Sequence, residues 1–556
     1  MMTITMPLLF SGVSREDLVA AARVLWSLPG FLRHPIKPDE ALAVLRQRLA
    51  QRDDDFLDLV QRAVFLNPSS PYLKLLRVAG CEWRDLQQLV REEGVEGALR
   101  RLYGQGVYLT IDEFKGRRAA VRGSATIEVT PVLLRNPDAR VHLAKQTGGS
   151  RGSRTPVPMD FRFLRDRARE HCLRLNAVSG PGWRNALWYG PGDLAITAVI
   201  YTQAGYKPVR LFVPVDPAAS DVPARYPWCE RLVRFASIVS GVPLPGHVYV
   251  PPEAPLPIVH WMAEVLRSGG TPLLNTYATA AVRVCQAAAE AGVDLTGARF
   301  SITGEPLTAA RLATIRRAGA EALPVYSTSE VGPVGFGCQE PTAPDDLHLL
   351  RDFHAVIQPG GTVQPNGLPP RALLLSSLRS TMPFILLNVC LGDQAELGQR
   401  SCGCVLEKLG WTTHVVGVRS FEKLTAGGMT FFDTDLIRVL EEVLPARFAG
   451  GPTDYQLIEE EYTDGRPCLR LLVHPALGPL DSSARRHVSH GDRQRLEHRA
   501  HDGIAVASSR SAGSAASAPA YYSGRKDTAP APGKGHQRLM RRWPRLNVSK
   551  VPLCRW

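Results

Sequence analysis

Nine residues, Thr147-Gly148-Gly149-Ser150-Arg151-Gly152-Ser153-Arg154-Thr155, have the composition of an anion cradle. Glycines let backbone N–H groups approach a ligand closely, while hydroxyl and guanidinium groups add donors. Phosphate is the natural guest, and a floppy surface connection is the plain alternative. The same letters spell G-x-S-x-G from Gly148 to Gly152, which in a hydrolase would make Ser150 a nucleophile on a strand-to-helix turn. Pro156 and Pro158 come at once after it, so the helical half of that elbow is not expected.

Two further runs carry chemistry: Ser301 to Thr308, SITGEPLT, and Tyr326-Ser327-Thr328-Ser329-Glu330. Gly392-Asp393 lies downstream. A carboxylate such as Glu330 suits a hard divalent cation, and an ionised Asp393 accepts several hydrogen bonds. Taken singly, Glu330 reads equally as a solvated acid, Tyr326 as a core aromatic and Gly392-Asp393 as a turn pair. A separate constellation, Cys338, His348, Cys402 and Cys404, offers three thiols and an imidazole, the donor set of a closed tetrahedral zinc site. Four ordinary residues are the alternative, with His354 as a spare imidazole.

The elements that must position these groups are set by periodicity. Residues 15 to 102 read as helices, broken at Pro29 and at the turn Asn67-Pro68-Ser69-Ser70-Pro71. From Val121 onward, short β-rich runs such as RLFVPV and GHVYV alternate with helical runs such as PIVHWMAEVLRS. That alternation predicts an α/β fold. The segment Asp294 to Tyr326 reads helix, strand, Gly-Glu-Pro turn, helix and strand, which puts its turns at strand ends, where open α/β sheets bind ligands. The organisation expected is a helical entry segment over 1–120, a large α/β domain over 121–412, a small α+β domain over 413–480, and an atypical tail over 481–556.

In order, these motifs resemble the adenylate-forming superfamily of acyl-CoA ligases. The similarity is greatest to the phenylacetate-CoA ligase-like branch, whose phosphate loop likewise ends in Thr, and it runs from roughly Pro71 to Leu480. The resemblance implies a large N-terminal domain of layered β-sheets and helices with a small α+β lid that swings between two half-reactions. It implies ATP-dependent formation of an acyl-adenylate and transfer of the acyl group to a thiol, usually coenzyme A. It implies that Thr147 to Thr155 hold the β- and γ-phosphates, that Gly304, Glu305 and Pro306 border the adenine, and that Tyr326 stacks on the base, with Ser327 beside it. Glu330 would hold Mg²⁺, and Asp393 would accept from the ribose hydroxyls. The branch often shows the Cys/His then Cys-x-Cys arrangement as structural zinc. The acyl pocket is less legible, with Ala186 to Tyr201 and Tyr277 to Ala280 as candidate linings.

Three departures stand out. The family's Gly-Arg pair at the hinge appears as Gly417-Val418-Arg419, leaving Arg419 as a displaced candidate. The arginine often found before Gly-Asp is absent from LLNVCLGD. The late catalytic lysine has only Lys534, in PAPGKGHQ, as a candidate, so the activity could be impaired. Two alternatives stay open: an adenylate-forming enzyme with a non-CoA acceptor, and a nucleotide-binding relative without full catalysis.

Bulk properties bound these readings. The 556 residues carry 44% hydrophobic and 21% charged residues, as globular chains do, and a net charge of +13. Residues 481–556 hold 15 Lys/Arg against 5 Asp/Glu, leaving 51 against 48 in the rest, so no basic surface for nucleic acid is expected outside the tail. That tail, with SSRSAGSAASAPA, reads as disordered or as the product of another reading frame. No apolar run is long enough to span a membrane, no secretory leader is read at the start, and scattered cysteines suit a reducing compartment. A cytoplasmic enzyme acting on a small carboxylic acid is the expectation, with room for a homodimer.

Overall fold

The entry segment folds as helices α1 (Arg15–Arg33), α2 (Pro38–Ala50), α3 (Arg52–Val60), α4 (Pro71–Val78), α5 (Trp83–Gly104) and α6 (Ile111–Phe114). The computed structural model describes residues 15–146, 155–178, 182–216, 225–360, 367–421, 425–426, 429–430, 438–451, 454–461, 467–474, 477 and 504–506. Contrary to the break expected at Pro29, α1 continues through it. Burial of Leu28 and Leu32 on its inner face compensates for the hydrogen bond that proline removes. The turn at Asn67 to Ser70 does interrupt the helices, and Pro71 opens α4, where its missing N–H costs nothing. Thr110 and Glu113 close a reciprocal capping box that starts α6.

Two hairpins come next. β1 (Ala120–Arg122) pairs with β2 (Ala125–Ile127), and β3 (Leu143–Gln146) pairs antiparallel with β4 (Pro156–Met159) through Gln146 and Pro156. Helix α7 (Phe161–Val178) then leads into the alternating segment. In chain order this is β5 (Trp183–Trp188), α8 (Pro191–Gln203), β6 (Arg210–Val213), α9 (Arg225–Val239), β7 (His247–Tyr249), α10 (Leu256–Arg267), β8 (Thr271–Thr276), α11 (Ala278–Glu290), β9 (Arg299–Thr303), α12 (Ala309–Arg317) and β10 (Glu321–Thr328). All neighbouring pairs among these strands are parallel. The antiparallel continuation is β11 (Gly332–Gly337), β12 (Leu347–Leu349), β13 (His354–Ile357), β14 (Ala372–Ser377), β15 (Val389–Gln399), helix α13 (Val405–Lys408) and β16 (Thr413–Ser420).

Together they make one 12-stranded sheet in the order β13-β14-β15-β16-β12-β11-β10-β9-β8-β5-β6-β7. Strand order reverses between β5 and β8, so the sheet has a topological switch point there. Apolar residues of α10, α11 and α12 pack with Phe300 and Ile302 on one face, while α1, α7, α8 and α9 contribute to the larger core on the other. This is the α/β, doubly covered sheet that the alternation predicts.

Thr413–Ser420 departs from the boundary expected at residue 413. It is an internal strand of the large sheet, held on both sides by ladders to β15 and β12. Beyond it lie β17 (Thr425–Ala426), β18 (Met429–Thr430), a helical run over Val439–Val443 and Leu444–Phe448, and β19 (Tyr455–Glu461) paired with β20 (Pro467–Val473). Val439, Leu444, Tyr455 and Leu471 form a separate small core. Within the tail, β21 (Ile504–Val506) pairs in parallel with β20, an ordered element where none is expected. The rest of the tail, including Lys534, lies outside the described residues.

Candidate functional site

Tyr277 and Gly304 directly follow the adjacent parallel strands β8 and β9, and Tyr326 lies beside them near the end of β10, because Thr276 pairs with Ile302 and Thr303 with Val325. Gly304 has φ +78°, and a Cβ there would meet the Tyr277 ring at 3.0 Å. Only glycine fits a backbone with that sign of φ and so close a ring. Tyr277 in turn meets Tyr189 at 5.3 Å, edge to face, directly across the switch point between β5 and β8. The crevice outside these strand ends is where an open α/β sheet binds its ligand.

Tyr326 donates a 2.9 Å hydrogen bond from its phenol to Asp393 Oδ2, joining positions 67 residues apart. Burial and the adjoining Asp393 charge push the phenol well above the ordinary tyrosine range, so it stays a neutral donor. Asp393 sits on β15 opposite Ser420 of β16, and Gly392 before it has φ +92°. The carbonyl of Gly392 accepts from Phe421 N at 2.9 Å and Ser420 Oγ at 3.2 Å, which fixes the strand backbone leading into Asp393. The ladder bulges between Tyr326 and Ser327, so Ser327 pairs with Pro333.

The neighbours of the other expected residues differ from expectation. Glu305 turns to the start of α11, accepting from Thr279 N at 2.8 Å and Thr279 Oγ1 at 3.0 Å, a carboxylate at a helix N-terminus. Pro306 offers its carbonyl to Arg311 Nη1 at 2.7 Å. Arg311 Nη2 meets Glu441 Oε1 at 2.5 Å, and Thr308 also donates to Glu441, so the run at Val439–Val443 docks on the Gly-Glu-Pro turn. Glu330 is 8% exposed and paired with Lys115 Nζ at 2.7 Å. A divalent cation at this carboxylate would have to compete with that ammonium, so Glu330 as it stands does not fit the metal-ligand role expected of it. Lys115 escaped sequence reasoning because its partner lies 215 residues away. Arg419 neighbours Asp393 in the β15–β16 ladder but sends its guanidinium to Asp345.

Of the anion cradle, Thr147 to Arg154 lie outside the described residues, and Thr155 is buried. The flanks are clear. Lys145 on β3 pairs with Asp193 at 2.5 Å in the first turn of α8, which ties the root of the cradle to the switch-point mouth. From Thr155 the chain enters strand β4, and α7 starts only at Phe161, so among the described residues no helix follows directly on the run as a nucleophile elbow at Ser150 would require. Trp188 belongs to one core, its indole N–H donating to Val250 O at 3.2 Å, and Tyr189 is buried in the other, edge to face with Tyr277.

The cysteine and histidine constellation does converge. Ligand atoms of Cys338, His348, Cys402 and His414 all lie within 4.8 Å of one another, and Cys404 Sγ is 3.2 Å from His348 Nε2. His348 on β12 and His414 on β16 are ladder partners, which the sequence alone could not show. Each ring is oriented through Nδ1, His348 at 2.6 Å from Trp411 O and His414 at 2.6 Å from Asp346 Oδ1. His348 Nε2 therefore faces the thiols of Cys402 and Cys404, while Nε2 of His414 is buried with no hydrogen-bond partner. Carboxylate or carbonyl on one nitrogen with the other aimed at soft donors is how proteins present imidazole to a metal, and the donor set fits Zn²⁺. His354, the spare imidazole, is not part of it: it lies on β13 and bonds Pro333 O at 2.8 Å.

No protein-family model matches the chain, and no curated protein does. Among solved structures it is similar to a 2-hydroxyisobutyryl-CoA ligase in complex with an adenylate, at TM-score 0.47 and 13% identity over 85% of this chain and 88% of that one. It is also similar to acetoacetyl-CoA synthetase from Streptomyces lividans (TM-score 0.39, 15% identity, 65% and 51% covered). A third likeness is to O-succinylbenzoate coenzyme A synthetase from Bacillus subtilis in complex with ATP and magnesium (TM-score 0.38, 12% identity, 66% of each chain). At such scores these likenesses carry no argument about chemistry, which rests on the crevice itself.

Proposed function

We propose that this chain activates a carboxylic acid with ATP, forming an acyl-adenylate and pyrophosphate, and passes the acyl group to a thiol, coenzyme A being the simplest acceptor. The observation that carries this is the Tyr326–Asp393 hydrogen bond, which brings two separated motifs together beside Gly304 at the strand ends. Asp393 then offers carboxylate oxygens to a ribose, and the Tyr326 and Tyr277 rings offer faces to a base. The Thr147 to Thr155 run, rooted through Lys145 at the same mouth, supplies donors for phosphates. In the reaction a carboxylate oxygen of the acid attacks the α-phosphorus and pyrophosphate leaves with the electron pair of the broken P–O bond. Donors on the loop oppose the charge that develops there. Mg²⁺, when bound with the nucleotide, supplies further neutralisation.

The thiol then attacks the mixed anhydride and releases AMP. No described residue takes the part of the late lysine. We also propose that four ligands drawn from Cys338, His348, Cys402, Cys404 and His414 hold a structural zinc, a role in folding rather than in the reaction.

The test is acid-dependent pyrophosphate release from the full chain with ATP, Mg²⁺ and a panel of acids, with hydroxylamine trapping the adenylate. Asp393→Asn is expected to lower kcat/KM on the order of 10- to 100-fold through the ionised acceptor it removes. Omitting coenzyme A separates transfer to that thiol from an enzyme that uses another acceptor. Absence of acid-dependent pyrophosphate under all conditions would sink the reading.

A further inference from the structure

Helix α7 carries Arg167, His171 and Arg174 one turn apart, on one stripe facing the sheet. Arg174 is 3% exposed, with its guanidinium over the Phe336 ring at 5.1 Å. Its Nη2 donates to Tyr201 Oη at 3.1 Å and Ser301 Oγ at 3.0 Å, both neutral acceptors. Its Nε and Nη1 are buried with no hydrogen-bond partner, and it forms no ion pair among the described residues. Arginine cannot shed its proton to escape burial, so a guanidinium left this way lacks a counter-charge. Arg167 Nε and His171 Nδ1 are likewise buried without hydrogen-bond partners, and the buried carboxyl of the same helix, Glu170, is pushed by burial toward its neutral form and acts on Arg48 and Arg167 rather than on Arg174.

The elements that hold this stripe, β9 and α8, also border the crevice. Ser301 lies on β9 three residues before Gly304, on the order of 10 Å down the strand. Tyr201 is in the last turn of α8, the helix that begins at the switch point. Tyr189 connects the levels, its ring against Tyr277 and its phenol within electrostatic reach of Arg174.

We propose that Arg174, assisted by Tyr201 and Ser301, anchors a carboxylate at the far end of the acid, so that the substrate is a dicarboxylic acid activated at the carboxyl nearer Gly304. This rests on the ligase reading above. The distal carboxylate stays ionised and unreacted: it supplies the acceptor that Nε and Nη1 lack and sets the length of molecule the crevice takes. Adenylation consumes only the proximal group.

The experiment compares pyrophosphate release for length-matched series of dicarboxylic and monocarboxylic acids in the parent, Arg174→Met and Arg174→Lys, each checked for folding by circular dichroism. The parent should prefer dicarboxylic acids. Arg174→Met should lower kcat/KM for them on the order of 100-fold while changing monocarboxylic acids little. Arg174→Lys, which keeps the charge and serves should the methionine variant not fold, should retain part of the preference. Equal use of both series by the parent, or equal losses across both series in a folded variant, overturns the proposal and leaves the ligase reading standing. If no acid is turned over, the ligase reading fails separately. Stabilisation by a dicarboxylate in thermal unfolding of the parent, absent in Arg174→Met and weakened in Arg174→Lys, then upholds the anchor, and its absence in the parent overturns it.

Discussion

Single side chains in this molecule are defined by partners distant in sequence. Glu330 is paired with Lys115, Tyr326 with Asp393, and the His414 ring is oriented by Asp346. His354 shows what such burial does to acid stability. It is fully buried, donates Nε2–H to Pro333 O, and burial pushes its imidazole down to about 4. An unfolded histidine titrates near 6.5, so between these values the unfolded chain binds the extra proton. The stabilising balance present above pH 6.5 is therefore lost as pH falls toward 4. The parent should lose about 2 kcal/mol more between pH 7 and pH 5 than His354→Gln, read from urea unfolding midpoints. Equal losses would show that His354 does not titrate in this way.

At the scale of elements, the decisive arrangement is the turn between β9 and α12. Thr308 caps α12 by accepting from Arg311 N, while Thr308 and Arg311 side chains both reach Glu441. The carboxyl of Glu441 is 5% exposed, and burial raises its pKa despite the arginine. Removing one member of such a buried pair leaves the other uncompensated and costs about 3–5 kcal/mol. Glu441→Gln should therefore loosen the run Val439–Phe448 from the turn, seen as faster amide exchange there with the large sheet unchanged. Unaltered exchange would mean that packing of Val439 and Leu444, not the ion pair, holds it. The sequence made this turn visible because Gly-Glu-Pro between a strand and a helix has a local signature. The docking of Glu441 had none, being set by tertiary approach over 133 residues. The same distinction explains β16: its alternating text reads as a strand, but nothing local says that it lies inside the large sheet.

For the whole molecule, alternation in the sequence was enough to reveal the α/β layers and the turns at strand ends, whereas the strand order that makes the switch point was not legible. Arg174, Lys115 and His414 were not legible, because each matters through a buried neighbour on another element. The Cys/His centre is the feature with the broadest reach. Its ligands come from the end of β11, from β12, from the loop before α13 and from β16. If it holds zinc, elemental analysis should find one ion per chain, and Cys402→Ser or a strong chelator should lower the thermal midpoint on the order of 5–10 °C. A metal-free protein with an unchanged midpoint would refute it.

The position of β16 between β15 and β12 also bears on how the chain is made. Until residues 413–420 leave the ribosome, β13, β14 and β15 have no ladder to the strands that run from β12 to β7, and the sheet exists as two separate pieces. The parallel part can assemble in the order of its synthesis, since each new strand lies beside an existing one. The antiparallel part must wait for one late strand to be inserted between two finished edges. Those edges are exposed in the meantime, and unpaired edges invite pairing with other chains. Translation that stops before residue 420 therefore leaves a product with two open edges, and completion of the 8 residues of β16 closes both at once.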